Sequence, residues 1–172
     1  AYPARQVNNI YFDTVDLDTL NDHLSGVGER RKLRFRWYGK DMNAARGALE
    51  LKQKLNRMSW KAARPLGDTL HLKGVCWSQI ISGMVDQTDT TFGELLGVSK
   101  PILINHYWRE YYVSANEGTR LTLDYALTAY DQRFSQMPNL HFQIPQRHEV
   151  IIELKSNTYD NPCLLYTSDA AD

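Results

Sequence analysis

The chain has 172 residues, 42% of them hydrophobic and 23% charged, which is the composition of one ordinary globular domain with room for a core. Twenty Lys plus Arg balance twenty Asp plus Glu, so the net charge is zero. That balance argues against a general basic coat for nucleic acid and requires any basic site to be local. No apolar run reaches the ~18 residues of a membrane helix, and no signal peptide is visible, so a soluble chain is expected.

In chain order, the first clear element is "DTVDLDTLNDHL", where Asp and Thr offer caps, Leu17, Leu20 and Leu24 recur at helical spacing, and Gly26 supplies a stop. It reads as a helix. Next comes "ERRKLRFRWYGK", which alternates as a strand does. Arg30, Lys32, Arg34 and Arg36 fall on one face, and Leu33, Phe35 and Trp37 on the other. Neighbouring cations on that line stand ~6.7 Å apart, which at an effective dielectric of ~20 is roughly 2.5 kcal/mol of repulsion per adjacent pair. Either water and salt screen a solvated outer face, or the face holds a polyanion. One strand does not decide between them.

The same alternation recurs. "ALELKQKLN" sets Glu50, Lys52 and Lys54 against Leu49, Leu51 and Leu55. After it, the stretch from Asp68 to Val98 carries an apolar series broken by Gly74, Gly83 and Gly93, and reads as two short helices with core-facing side chains. "HYWREYYV" places Tyr107, Arg109 and Tyr111 opposite Trp108 and Tyr112, and "TRLTLDYAL" places Arg120, Thr122 and Asp124 opposite Leu121, Leu123 and Tyr125. "QMPNLHFQIPQ" is a loop by its prolines. In "HEVIIELKS", Glu149, Ile151, Glu153 and Lys155 oppose Val150, Ile152 and Leu154.

Each strand alone fits a half-solvated sheet. Together they predict an α+β domain: a closed or nearly closed antiparallel barrel with its charged faces inward and its apolar outer faces covered by helices. A lumen lined with Arg, Lys and a few carboxylates calls for a ligand of opposite charge.

"CLLYTSDAAD", Cys163 to Asp172, is the in-frame translation of a transposon-end sequencing adapter, so the expected domain is residues 1–162, with 163–172 a disordered artefact. Cys76 is then the sole native cysteine. No disulfide framework or Cys-based metal site is expected, and a reducing, cytoplasmic setting is the natural one. The sequence has no phosphate-binding G-x-x-x-x-G-K-[ST], no H-E-x-x-H, no G-x-S-x-G and no C-x-x-C. His23, His71, His106, His141 and His148 lack ligand spacing. A single-strand nucleic-acid platform wants aromatics and cations on one face, whereas Phe35 and Trp37 point away from Arg34 and Arg36.

"RQVNNIYFDTVDLDTLNDHL", "RRKLRFRWYG", "LELKQK", "YWREYY", "TRLTLD" and "IIELK" occur in that order. The whole, from Tyr2 to Pro162, resembles the VTC domain of vacuolar transporter chaperone proteins, within the triphosphate tunnel metalloenzymes and their CYTH-like relatives. The resemblance implies a strand barrel forming a tunnel whose basic side chains bind ATP, triphosphate or polyphosphate. It further implies a metal-dependent phosphotransferase that polymerises polyphosphate from the ATP γ-phosphate. An inorganic triphosphatase or a non-catalytic polyphosphate or inositol-phosphate sensor are the alternatives on the same scaffold.

Position by position, Arg34 and Arg36 match the phosphate-gripping arginines of R-x-R-W-Y-G, and Lys52 the lysine of the next E-x-K strand, with Lys54 beside it. Arg109 and Arg120 resemble the arginines of two later strands. Lys32 and Lys155 join the phosphate-binding set, and Glu153 resembles the carboxylate that holds Mn²⁺ or Mg²⁺. Arg forks match phosphate oxygens bidentately, Lys supplies point charge, and a hard cation bridges carboxylate to phosphate. The resemblance also implies a first strand with its own E-x-K ahead of Ala1 and further lysines after "IIELK". This chain is accordingly expected to form an incomplete barrel that cannot close and to be an inactive fragment of its parent.

Overall fold

The computed structural model describes residues 2–115, 118–147 and 149–156. In chain order the elements are β1 (Tyr2–Asp13), α1 (Asp18–Leu24), β2 (Glu29–Tyr38), β3 (Ala44–Ala45), β4 (Gly47–Leu55), β5 (Met58–Pro65) and β6 (Leu70–His71). Then follow α2 (Trp77–Val85), α3 (Thr90–Val98), β7 (Lys100–Val113), β8 (Thr119–Asp131), β9 (Gln143–Ile144) and β10 (Ile151–Ser156). Seven strands form one sheet in the order β10-β8-β7-β1-β2-β4-β5, with β9 beside β8, and β3 pairs β6 in a small ribbon. Every pairing is antiparallel, so the α+β class holds.

Among the described strands the barrel does not close. Among the described strands, β5 and β10 are the two ends of the pairing path, and no hydrogen-bonded seam joins them. Closure needs one seam per strand, and seven strands here share six.

One face of the sheet carries the core. Leu33, Phe35 and Trp37 of β2 are buried with Ile10 and Phe12 of β1, Leu49 and Leu51 of β4, and Ile104 of β7. Phe35 and Trp37 stack with ring centroids 5.7 Å apart. Against this face lie Trp77, Ile80 and Met84 from α2 and Phe92 and Leu96 from α3, the two helices expected between Asp68 and Val98. Each such side chain contributes roughly 1.5–3 kcal/mol on burial, which locks the register of β2 and so the direction of its arginines. Gly47 permits the close approach of β4, since a Cβ there would stand 2.0 Å from the Arg36 carbonyl oxygen.

Two helical and outer-face expectations change. The predicted first helix is present, but none of its residues is buried, and Leu24 is 74% exposed. What holds α1 is polar: the buried Asp13 carboxylate accepts the backbone N–H groups of Thr14, Thr19 and Leu20 at 2.8, 2.9 and 3.0 Å. The helices also cover only part of the sheet, leaving Ile152 63% exposed on the outer face of β10.

β8 departs from strict alternation. Asp124 and Tyr125 oppose Arg109 and Trp108, whereas Thr128 opposes His106, so Ala126 and Leu127 together face one residue of β7. Ala126 has φ 53°, the left-handed conformation of a bulge. The bulge lets residues 124 and 127, three apart, reach the same cavity.

Candidate functional site

On the face of the sheet opposite the core, side chains from β1, β2, β4, β5, β7, β8 and β10 line one cavity of about 430 Å³. Its cations are Lys32, Arg34, Arg36, Lys52, Lys61, Arg109 and Lys155, against the carboxylates Glu50, Asp124, Glu149 and Glu153. Seven positive groups against four negative ones leave a surplus of three on a chain of zero net charge. Of the line of cations in "ERRKLRFRWYGK", Lys32, Arg34 and Arg36 therefore face the cavity while Arg30 lines a smaller cleft, and the polyanion alternative gains over the solvated face.

Strand register sets the arrangement. Reading across β2, β4 and β5, Arg34 stands opposite Glu50, and the next inward row is Lys32, Lys52 and Lys61, three cations directly abreast. Glu50 gathers the neighbouring charge. Its Oε2 accepts Arg34 Nε at 2.8 Å and lies 3.9 Å from Arg36 Nη1, while its Oε1 lies 2.6 Å from Lys61 Nζ. Burial pushes the Glu50 carboxyl up, but the Lys61 hydrogen bond and the charges of Arg34 and Arg36 outweigh it and hold it below the usual carboxylate range. Burial likewise opposes the Arg34 charge, yet Tyr11 and Glu50 together raise its pKa.

Arg36 is oriented by neutral groups. Its Nε donates to Asn9 Oδ1 at 2.8 Å and its Nη2 to Tyr107 Oη at 3.2 Å, while Asn9 in turn donates to Asn105 Oδ1 at 2.8 Å. Arg109 is held bidentately by Asp124, with Nε and Nη2 each 2.5 Å from a carboxylate oxygen, and those hydrogen bonds keep it firmly protonated. These fixed guanidinium planes present pre-oriented donors toward the cavity, the geometry that suits phosphate oxygens.

Of the residues singled out in the sequence, Arg34, Arg36, Lys52, Arg109, Lys32, Lys155 and Glu153 meet at this cavity. Arg120 does not: it is exposed near the start of β8, outside the cavity lining. Lys54 lines a smaller adjoining cleft instead. His148 and residues 163–172 lie outside the described residues. Sequence reasoning missed Lys61, because β5 is exposed throughout and shows no alternation, and it missed Asn9 and Tyr11, whose neutral side chains carry no charge signal.

A divalent cation would find a sparse set of ligands. Among the described residues, no three His, Cys, Asp or Glu side chains cluster as a cage. Asp124 and Glu50 are each held by an arginine, and Glu149 and Glu153 are the cavity's other acids. Glu153 accepts Thr122 Oγ1 at 3.4 Å and pairs Lys155 at 2.9 Å; burial pushes it up, and the Lys155 contact more than reverses this, so it stays ionised. One or two carboxylates completed by substrate phosphates is how Mg²⁺ is commonly held, and the residues present fit that mode.

A curled antiparallel sheet with helices on its outer face and a surplus of positive charge within defines an α+β domain with a cation-lined cavity. The VTC domain family matches residues 2–167, nearly the whole chain, and the chain belongs to that family. Membership ties it to polyphosphate-related chemistry and to phosphotransfer in general. No curated protein matches it. Among the described residues, no helix is long and apolar enough to cross a membrane.

Proposed function

We propose that the cavity binds the phosphate chain of ATP, triphosphate or polyphosphate, and that the parent protein uses it to polymerise polyphosphate. The observation that carries this reading is the surplus of cations on one inward face of a neutral chain. In the transfer, an oxygen at the end of the growing chain attacks the γ-phosphorus in line. A P–O bond forms as the bond to the β–γ bridging oxygen breaks, and ADP leaves. Little covalent chemistry falls to the protein; positioning and charge neutralisation supply the catalysis. Arg34, Arg36 and Arg109 hold non-bridging oxygens, and Lys32, Lys52, Lys61 and Lys155 neutralise the charge that accumulates along the chain. Glu153 and Glu149 would hold Mn²⁺ or Mg²⁺, which when bound supplies further neutralisation at phosphate oxygens. A cytoplasmic setting, where ATP is plentiful, suits this chemistry.

The test incubates a full-length parent protein with ATP and Mn²⁺ and resolves the products by gel electrophoresis. Long polyphosphate is the expected product. Orthophosphate alone would replace the reading with a triphosphatase, and binding without turnover would replace it with a sensor.

A further inference from the structure

We propose that beyond Arg36 the cation face ends in an open aromatic shelf, where the base of a nucleoside triphosphate stacks on Tyr38 while its phosphates lie among the arginines. This rests on the phosphate-chain reading above and extends it from the phosphates to the nucleoside. Tyr38 stands two residues past Arg36 on the same face of β2, ~6.7 Å further along the strand. Phe35 and Trp37 point into the core, so Tyr38 is the aromatic of β2 that shares the cation face.

Register and ring contacts tie Tyr38 to the cavity. Val7 stands opposite both Tyr38 and the cavity residue Tyr107, and Arg5 stands opposite Arg109, so these side chains belong to one face. The Arg5 guanidinium lies between two rings, its Cζ 4.3 Å from the Tyr38 centroid and 4.8 Å from that of Tyr111, and its Nη2 donates to Tyr111 Oη at 2.9 Å. Arg109 carries the series inward, with Cζ 5.8 Å from the Tyr111 centroid and 5.2 Å from that of Tyr107. Tyr38, Arg5, Tyr111, Arg109 and Tyr107 thus alternate ring and guanidinium from the surface to the cavity. Arg planes stacked on aromatic faces hold the rings in place.

Exposure decides which ring is open to a base. Of the described aromatic rings that line the cavity, Tyr107 is buried and Tyr11 has Lys32 Nζ 5.9 Å from its centroid. Tyr38 is 48% exposed, with Arg5 backing it. Stacking uses the π-face that every base has, so the shelf accepts adenine and guanine alike. Tripolyphosphate has no base and gains nothing from it.

The experiment titrates ATP, GTP and tripolyphosphate by calorimetry into the wild-type chain, Tyr38→Leu and Tyr38→Trp. Expected is a loss of about fivefold or more for ATP and GTP in Tyr38→Leu, with both retained in Tyr38→Trp and tripolyphosphate bound equally by all three proteins. The tripolyphosphate titration also shows that each variant is folded. Unchanged ATP affinity in Tyr38→Leu, a matching loss for tripolyphosphate, or an ATP loss in Tyr38→Trp equal to that in Tyr38→Leu overturns the shelf and leaves the cavity reading standing. A wild type that binds none of the three ligands overturns both.

Discussion

Glu50 sits where Arg34, Arg36 and Lys61 converge, and its charge serves the fold and the ligand in opposite ways. Removing it leaves part-buried cations without their counter-charge, so Glu50→Gln should lower stability by about 1–3 kcal/mol in urea unfolding. The same change raises the cavity's positive surplus, so tripolyphosphate affinity should rise, not fall, in calorimetry. The pH dependence follows from the depressed carboxyl. A carboxylate whose folded pKa lies below its unfolded value stabilises above the unfolded pKa of ~4.3, and that stabilisation is lost as pH falls through the folded pKa. Below that range wild type should lose more stability than Glu50→Gln, which has no such group. Equal acid losses in the two proteins would show that Glu50 is not held in this way.

At the scale of elements, β2 separates packing from binding by alternation alone. Phe35→Ala should destabilise by about 3–5 kcal/mol, since it empties a fully buried site stacked on Trp37. This much was legible: Leu33, Phe35 and Trp37 announce a core face, and the cations between them announce the other. β8 was not legible past its middle. Period-2 reading assumes unbroken pairing, and the left-handed residue at Ala126 inserts one unmatched position, which reverses the parity that follows. Ala126→Val should cost about 1–2 kcal/mol, because a β-branched side chain resists that conformation, while Ala126→Gly should be tolerated; unfolding midpoints of the two variants decide it. Arg120 was misplaced for a related reason. Its parity is inward, but it sits near the open end of its strand, where the register carries it past the cavity. In α1, leucine spacing suggested burial, whereas the anchoring comes from the Asp13 carboxylate, a contact that periodicity does not express.

Across the whole molecule, the convergence of β2, β4, β7, β8 and β10 on one cavity follows from each of them showing a polar, charge-bearing face and an apolar one, and it was readable in the sequence, whereas β5 shows no alternation and the cavity-lining side chain of β1, Tyr11, is neutral. Pairing between the ends of a sheet leaves no local pattern in either strand, so the open seam was legible only through the resemblance. Among the described residues β5 and β10 are unjoined and Lys61 and Lys155 are exposed, so phosphate affinity should fall steeply with ionic strength as the Debye length contracts toward ~3 Å near molar salt. The most direct test of the cation-lined cavity is titration calorimetry of tripolyphosphate at low salt into the wild-type chain, Arg36→Ala and Arg147→Ala. Arg36 is held by Asn9 and Tyr107 inside the cavity, and Arg147 is exposed in a loop outside it. A charge-assisted phosphate contact is worth ~1.5–3 kcal/mol, so saturable binding that weakens about tenfold or more in Arg36→Ala and hardly changes in Arg147→Ala is predicted. Equal losses at the two positions, or no saturable binding by the wild type, would contradict it.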